Sequence, residues 1–478
     1  MSFFSDFVRP QKPMSTRKRT LSLRSIEFES TMNDITETTR LLSSHESQID
    51  IISPPTGTTW YASIFLVVNA ALGAGLLALP AAFSAAGGIT TAISVQAVLM
   101  VFIVSSLLVL AYCSDVHQSA TYQDVIYSLL GRTAQTICSV CIVLYCFGTC
   151  ITFFIVVGDQ WDRFFFFVHG DDFCHYWYFN RVFTMIATSI FLILPLCYAK
   201  RIDFLKYASF LGVIGIIYIV ILVIVKYFTS DITPGTIKEK PDNFADIFIV
   251  VPVICFGYQC HVSAVPIYSC LKNRSVIEFS KTLVFALIIC ALAYSVTASF
   301  GYLTFGDNVD SDILVSYYPD AAVLVAIAMM AGKTYTTFPI LAFCGRSALD
   351  SVWCSMLKLP PDEIAMHEKR RRIVQTTIWF LSSLALAVFI PNIGVVISLL
   401  GSLAALFIFL FPGLCLLQVA FAQESSIKRW KYWVLVITAV IFIVLGTFIL
   451  GVVSVQSIMN DVNNDGTSKP SKSQLPCT

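Results

Sequence analysis

The segment Asn69–Pro80, NAALGAGLLALP, interrupts an apolar run that is long enough to cross a bilayer. Its Gly73-Ala74-Gly75 core predicts a break in the helix, because glycine lowers helix stability. In hydrocarbon, each unpaired backbone N–H or C=O group costs several kcal/mol. Such a break is therefore tolerated where it lines a polar cavity or binds a ligand. The alternative is that the glycines serve only close helix packing, as small residues do in membranes.

Composition indicates a polytopic membrane protein. The 478 residues are 56% hydrophobic and 13% charged, whereas soluble domains carry about 25% charged residues. Each candidate span has close to the roughly 20 apolar residues that a bilayer requires. The sequence predicts eleven spans, at 58–82, 90–112, 135–158, 181–198, 206–228, 245–268, 281–302, 321–345, 373–390, 393–417 and 432–456.

A second interruption, Phe256–His261, splits the sixth apolar run. The first five spans and the next five thus each begin with a broken helix, which favours two halves of opposite orientation. This predicts an all-α fold of the LeuT type, a 5+5 inverted repeat with broken spans 1 and 6 and an eleventh helix. Paired breaks of this kind indicate the substrate site of a transporter.

The chain divides into three parts by composition. Residues 1–57 are polar and lack a signal-peptide core, so we expect a disordered cytosolic tail, followed by a transporter domain at 58–456 and a short outer tail at 457–478. Lys and Arg concentrate in the loops on the tail's side, whereas the loop after span 7 holds four aspartates and no basic residue. This asymmetry places the N-terminus inside and the C-terminus in the lumen or outside the cell.

Several long segments resemble one family of transporters. They include NAALGAGLLALPAAFSAAGG in span 1, CHVSAVPIY in span 6 and TTFPILAFCGR in span 8. On the evidence of these segments, the chain resembles the sodium-coupled neutral amino acid transporters, solute carrier family 38 of the amino acid/auxin permease clan. The resemblance covers about residues 57 to 456. The resemblance is closest to its lysosomal glutamine and asparagine branch. It implies cation-coupled amino acid transport across the lysosomal membrane, with the plasma membrane as the alternative location.

The two breaks predict backbone contacts to the groups that all amino acids share. The amides at the start of the second half-helix lie at the positive end of its dipole and therefore suit a carboxylate. Carbonyls freed at the second break suit the ammonium group. The candidate substrate-binding residues are Leu72, Gly73, Ala74, Gly75 and Leu76 in the first break, Cys255, Phe256 and Gly257 in the second, and Tyr145, Thr149 and Ser398 around the substrate side chain.

Asn69 and Thr337 occupy positions that the resemblance associates with sodium, and Thr336 adds a neighbouring hydroxyl. Hard cations prefer such oxygen ligands. The alternative is that the threonines bond to their own helix carbonyls. Lys333 lies deep in span 8, on the same helix face. Its ammonium either opposes sodium and shifts coupling toward protons, or pairs with free carbonyls of a broken helix.

Two further residue sets carry hypotheses. His261 closes the second break and is either a proton carrier or a structural hydrogen-bond donor. In the tail, Glu37 followed by Leu41 and Leu42 matches the acidic dileucine pattern that clathrin adaptors read when they sort proteins to lysosomes.

The sequence leaves two functions open, a transporter or an amino acid sensor that signals through its tail. No grouped nucleophile, base and oxyanion donor points to an enzyme. The expected partners are the amino acid, the bilayer and clathrin adaptors. We expect no cofactor beyond a coupling ion, Na+ or H+, and the net charge of +1 gives no support for a nucleic-acid partner.

Overall fold

A computed structural model describes residues 58–170, 175–198, 205–357, 366–390, 393–423 and 428–464. The predicted sorting motif, Glu37 with Leu41 and Leu42, lies outside these residues, as do the rest of the N-terminal tail and residues 465–478. The described residues are helical apart from connecting turns and an isolated parallel bridge between Thr58 and Leu271. In chain order the helices are α1 Trp60–Ala71, α2 Gly75–Ala85, α3 Ile89–His117, α4 Tyr122–His169, α5 Arg181–Cys197, α6 Leu205–Thr229, α7 Val250–Gly257, α8 His261–Ser269, α9 Val276–Phe305, α10 Ile313–Ser316, α11 Ala321–Leu357, α12 Glu368–Phe389, α13 Ile393–Ala422 and α14 Arg429–Asn464.

Both predicted interruptions are present. Helix α1 ends at Ala71, and α2 begins at Gly75 with its axis bent by 60°. Leu72 between them is extended, with φ −72° and ψ 106°. The second break separates α7 from α8 at 258–260.

The number of spans differs from the expectation. Within the described residues, nine helices are long and apolar enough to cross a membrane, and the bent pair α1–α2 makes ten. Helix α5, at the predicted fourth span, is apolar but shorter. The protein is thus an all-α polytopic membrane protein, while the eleven spans and the inverted repeat remain predictions.

The broken helices lie in the centre of the bundle. All eight residues of α7 are buried, as are eight of the eleven residues of α2. Helix α13 packs against α7, while α9 packs against α1, α2 and α3. Helix α11 lies mainly against α4 and α6. In contrast, α14 exposes large apolar side chains along its length, including Ile437, Val440 and Val444, and so suits the lipid-facing edge.

Helix α4 contains a sharp backbone change at Gly131, with φ +82° and ψ −177°. This conformation is accessible essentially to glycine alone. Gly131 therefore separates the short helical segment 122–130 from the long apolar segment that follows, which contains the predicted third span.

Replacing Gly131 with alanine should lower the free energy of unfolding by about 1–3 kcal/mol, because a Cβ atom strains this backbone conformation. Thermal unfolding of the purified protein in detergent measures the effect. The matched control is Gly451→Ala in α14, where a Cβ atom meets nothing within 4 Å. Equal unfolding midpoints for Gly131→Ala and the wild type would contradict this assignment.

Candidate substrate and ion site

The two broken helices touch through their backbones. A Cβ atom built on Gly75 lies 2.8 Å from the Cα atom of Gly257, a distance that real side chains essentially never adopt. Glycine at position 75 thus lets the start of α2 approach the end of α7. The two breaks, far apart in the sequence, therefore lie against each other.

Three carbonyls at the breaks have lost their helical partners. In an unbroken helix, Ala71, Leu72 and Gly257 would accept from the N–H groups four residues later. However, the amide of Leu76 donates to the Gly73 carbonyl at 3.1 Å, and the amide of His261 donates to Gln259 Oε1 at 2.9 Å. The freed carbonyls therefore need other donors.

Tyr294 of α9 reaches two of these carbonyls. Its hydroxyl oxygen lies 2.7 Å from the Ala71 carbonyl and 2.8 Å from the Gly257 carbonyl. The side chain is fully buried and packs edge-on against Tyr258. Our sequence reasoning missed Tyr294, although a tyrosine inside an apolar span carries a signal, since a buried hydroxyl requires a partner.

Lys333 of α11 bonds the third freed carbonyl. Its ammonium donates to the Leu72 carbonyl, and the residue is only 5% exposed. The absence of a side chain at Gly212 leaves room for its stem, because a Cβ there would lie 3.2 Å from Lys333 Cγ. No carboxylate in the described part of the chain pairs with this ammonium. The contact is the carbonyl pairing that one alternative predicted, and a role in coupling stays a prediction.

The residues predicted for sodium have different surroundings. Asn69 Oδ1 is buried and has no hydrogen-bond partner among the described residues. The Thr336 hydroxyl lies 3.1 Å from the Gly332 carbonyl and 2.9 Å from the Lys333 carbonyl, so it donates within its own helix, as the alternative predicted. Thr337 is half-buried. An amide oxygen without a donor fits a cation, and a threonine oxygen that donates still has lone pairs to offer.

The predicted side-chain pocket is only partly assembled around the breaks. Tyr145 lies 6.2 Å from Phe256 and 5.8 Å from Phe407 between ring centroids, so it does reach the second break. The Thr149 hydroxyl donates to the Tyr145 carbonyl at 2.7 Å. Ser398 is half-buried on α13, and no contact places its hydroxyl at the breaks. Cys255 is fully buried in α7.

His261 begins α8 and is fully buried. Its Nε2 lies 2.7 Å from Ser106 Oγ, which itself donates to the Ile103 carbonyl at 2.9 Å. The Nε2–H group therefore donates to the serine, and Nδ1 is left as a buried acceptor without a partner in the described structure. This geometry suits a structural donor, and proton transfer by His261 stays a prediction.

Polar contacts join different helices at both ends of the bundle. At the end of the bundle where α3 and α8 end, Tyr268 donates to Asp115 at 2.8 Å, and Arg274 donates to the Ser114 carbonyl at 2.8 Å. Near the C-terminal end of α4, Asp312 lies beside Gln160, and burial raises the pKa of the Asp312 carboxyl to about 7. Because that carboxyl is neutral below this pH, an acidic compartment removes its charge.

The close contact between Gly75 and Gly257 predicts how a substitution at Gly75 changes the stability of the protein. Gly75→Ala should lower the free energy of unfolding by about 1–3 kcal/mol, because the new methyl group overpacks against the Gly257 backbone. Thermal unfolding in detergent tests this. Gly73→Ala is the control, since a Cβ at Gly73 meets nothing within 4 Å. If both variants unfolded at the wild-type temperature, the two breaks would not be in contact.

Comparison with known proteins identifies the family. The model of the transmembrane amino acid transporter protein family matches residues 56–459. The chain is 42% identical over 433 residues to sodium-coupled neutral amino acid transporter 7 of Danio rerio, which covers 88% of this chain and 93% of the relative. Its human counterpart is 43% identical over 410 residues, 85% of this chain and 89% of the relative. The putative sodium-coupled neutral amino acid transporter 8 of Xenopus tropicalis is 35% identical over 401 residues, 81% of this chain and 90% of the relative.

The family match extends from before α1 into α14 and agrees with the resemblance expected from the sequence motifs. The chain therefore belongs to the transmembrane amino acid transporter family, whose members are transporters rather than enzymes.

Proposed function

We propose that this protein is a secondary active transporter that moves neutral amino acids, glutamine and asparagine above all, by alternating access. The observation that carries this proposal is the meeting of two broken helices at Gly75 and Gly257, deep among buried residues. Backbone groups that are free of helical bonding are suited to bind a polar solute inside a bilayer. The relatives' names, which describe sodium-coupled neutral amino acid transporters, support the substrate class.

The first break supplies the carboxylate contacts in this account. The amides of Ala74 and Gly75 make no backbone hydrogen bond in the described structure, whereas those of Leu72 and Leu76 do. The Ala74 and Gly75 amides lie at the start of α2, where the helix dipole favours an anion. The Gly73 amide also makes no backbone hydrogen bond, but it faces the Tyr294 hydroxyl, so we assign the α-carboxylate to the amides of Ala74 and Gly75.

Glutamine and asparagine differ from apolar amino acids by a terminal amide. A buried site that hydrogen-bonds such a group strongly rejects analogues without it. We assign this contact to Thr149 and Ser398, with Tyr145 as one wall. The Thr149 hydroxyl donates to a carbonyl, and its lone pairs remain to accept from an amide N–H.

The coupling ion depends on Lys333. The relatives' names favour sodium, and Asn69 Oδ1, with Thr336 and Thr337, offers oxygens for it. Lys333 already places a positive charge on the Leu72 carbonyl in the first break. A buried ammonium beside the ion ligands opposes a second cation, and its deprotonation would relieve that repulsion. We therefore propose that proton release from Lys333 contributes to coupling.

Lys333→Ala should weaken the pH dependence of uptake and strengthen its sodium dependence, because the fixed charge that opposes sodium is gone. Uptake of radiolabelled glutamine into proteoliposomes at several pH values and sodium concentrations measures both. Lys226→Ala is the control, because Lys226 pairs with Asp320 at the outer end of α6. Unchanged sodium and pH dependence in Lys333→Ala would exclude Lys333 from coupling.

The function itself is tested by glutamine flux into proteoliposomes, with sodium and proton gradients imposed separately. A transporter accumulates glutamine when one of the two gradients is present and not when both are absent. Glutamine binding without flux would instead support the sensor that the sequence left open.

We further propose that the protein lies in the lysosomal membrane, N-terminus in the cytosol, and exports amino acids to the cytosol. Replacing Leu41 and Leu42 with alanine should move it to the plasma membrane, because clathrin adaptors would no longer bind the tail. Surface biotinylation and microscopy measure the change. Replacing Leu21 and Leu23, in the same tail but outside the motif, serves as the control, and an unchanged location of the Leu41/Leu42 variant would remove the motif from the account.

A further inference from the structure

We propose that the Tyr294 hydroxyl is a ligand of the substrate's α-ammonium group, as the third oxygen of a cradle formed with the Ala71 and Gly257 carbonyls. This inference rests on the proposed function. The proposal gives Tyr294 of α9 a role in substrate specificity, although the sequence predicted no site residue in this helix.

The number of hydrogens in the cluster carries the argument. Tyr294 Oη lies 2.7 Å from one carbonyl oxygen and 2.8 Å from the other, both ordinary hydrogen-bond distances. A phenol has a single proton and donates to one acceptor at a time. The Gly73 amide faces the hydroxyl oxygen. The second carbonyl is therefore the acceptor that needs a further donor, and the hydroxyl oxygen keeps a lone pair to offer.

No backbone amide of the two broken helices supplies a donor to the second carbonyl. His261, whose amide would normally bond the Gly257 carbonyl, donates to Gln259 instead. The Gly75 amide, four residues after Ala71, makes no backbone hydrogen bond in the described structure. The nearby ammonium of Lys333 bonds the Leu72 carbonyl. Tyr294 is fully buried, its single hydroxyl hydrogen serves one carbonyl, and the Gly73 amide faces its oxygen, so one of the two carbonyls is left without a donor.

An ammonium group matches this shortage. It carries three N–H donors and a positive charge, and hydrogen bonds to charged groups are about twice as strong as neutral ones. Ala74 and Gly75 lie three and four residues after Ala71 in the chain. An amino acid that places its carboxylate on these amides therefore has its ammonium close to the cradle.

The test compares two ligands that differ only in the ammonium group. Glutamine and its des-amino analogue, glutaramic acid, compete for uptake of radiolabelled glutamine by the full-length protein in proteoliposomes. In Tyr294→Phe we expect the KM for glutamine to rise about tenfold or more, as the loss of a hydrogen bond to a charged group implies. The inhibition constant of glutaramic acid should stay at its wild-type value, whereas general damage to the site would raise both constants.

Tyr302→Phe is the matched control. Tyr302 is also a buried tyrosine of α9, but its hydroxyl accepts from the Lys238 amide at 2.7 Å, outside the breaks. Both constants should keep their wild-type values in this variant. Wild-type protein that transports no glutamine would overturn the proposed function itself. Active Tyr294→Phe with an unchanged KM would overturn only the cradle.

Two further outcomes are decisive. If Tyr294→Phe shifts the sodium activation constant while the ratio of the two ligand constants stays fixed, the cluster binds an alkali ion and the proposal fails. If Tyr294→Phe does not fold, wild-type protein is titrated with N-methylated and N,N-dimethylated glutamine. Weaker inhibition with each methyl group supports the cradle, and equal inhibition contradicts it.

Discussion

Unsatisfied backbone carbonyls in a low-dielectric interior are the constraint on which this structure depends. Breaking a helix inside a membrane releases carbonyls that hydrocarbon cannot solvate. Here Ala71, Leu72 and Gly257 are released, and two side chains meet them. Tyr294 bridges the first break to the second, and Lys333 bonds the first alone. The two breaks are tolerated inside the bundle because Tyr294 and Lys333 donate hydrogen bonds to the carbonyls that the breaks release.

This constraint also ties the site to helices outside the breaks. Tyr294 comes from α9, which packs along α1 and α2, while Lys333 comes from α11, which packs mainly on α4 and α6. A tyrosine proton and an ammonium thus connect the first break to two different parts of the bundle. A movement of α9 or α11 away from the first break would remove the donor of at least one carbonyl, and a ligand that binds the freed carbonyl would favour that conformation.

Much of this arrangement was predictable from local sequence chemistry. Glycines in an apolar run predicted the break before Gly75, and a lysine far from either end of its span predicted a buried charge at position 333. Tyr294 was not predicted because a tyrosine in an apolar run indicates that its hydroxyl needs a partner, but not that the partners are the carbonyls of Ala71 and Gly257. The bonding of the Thr336 hydroxyl and the shortness of α5 likewise depend on neighbouring structure, which residue patterns do not specify.

The central claim is that the two breaks recognise the α-groups shared by all amino acids. Competition by glutamine methyl ester for glutamine uptake in proteoliposomes tests it most directly. The ester keeps the ammonium group and the side-chain amide but removes the carboxylate that we place on the Ala74 and Gly75 amides. The account predicts that the ester competes far more weakly than unlabelled glutamine, and equal competition would contradict it.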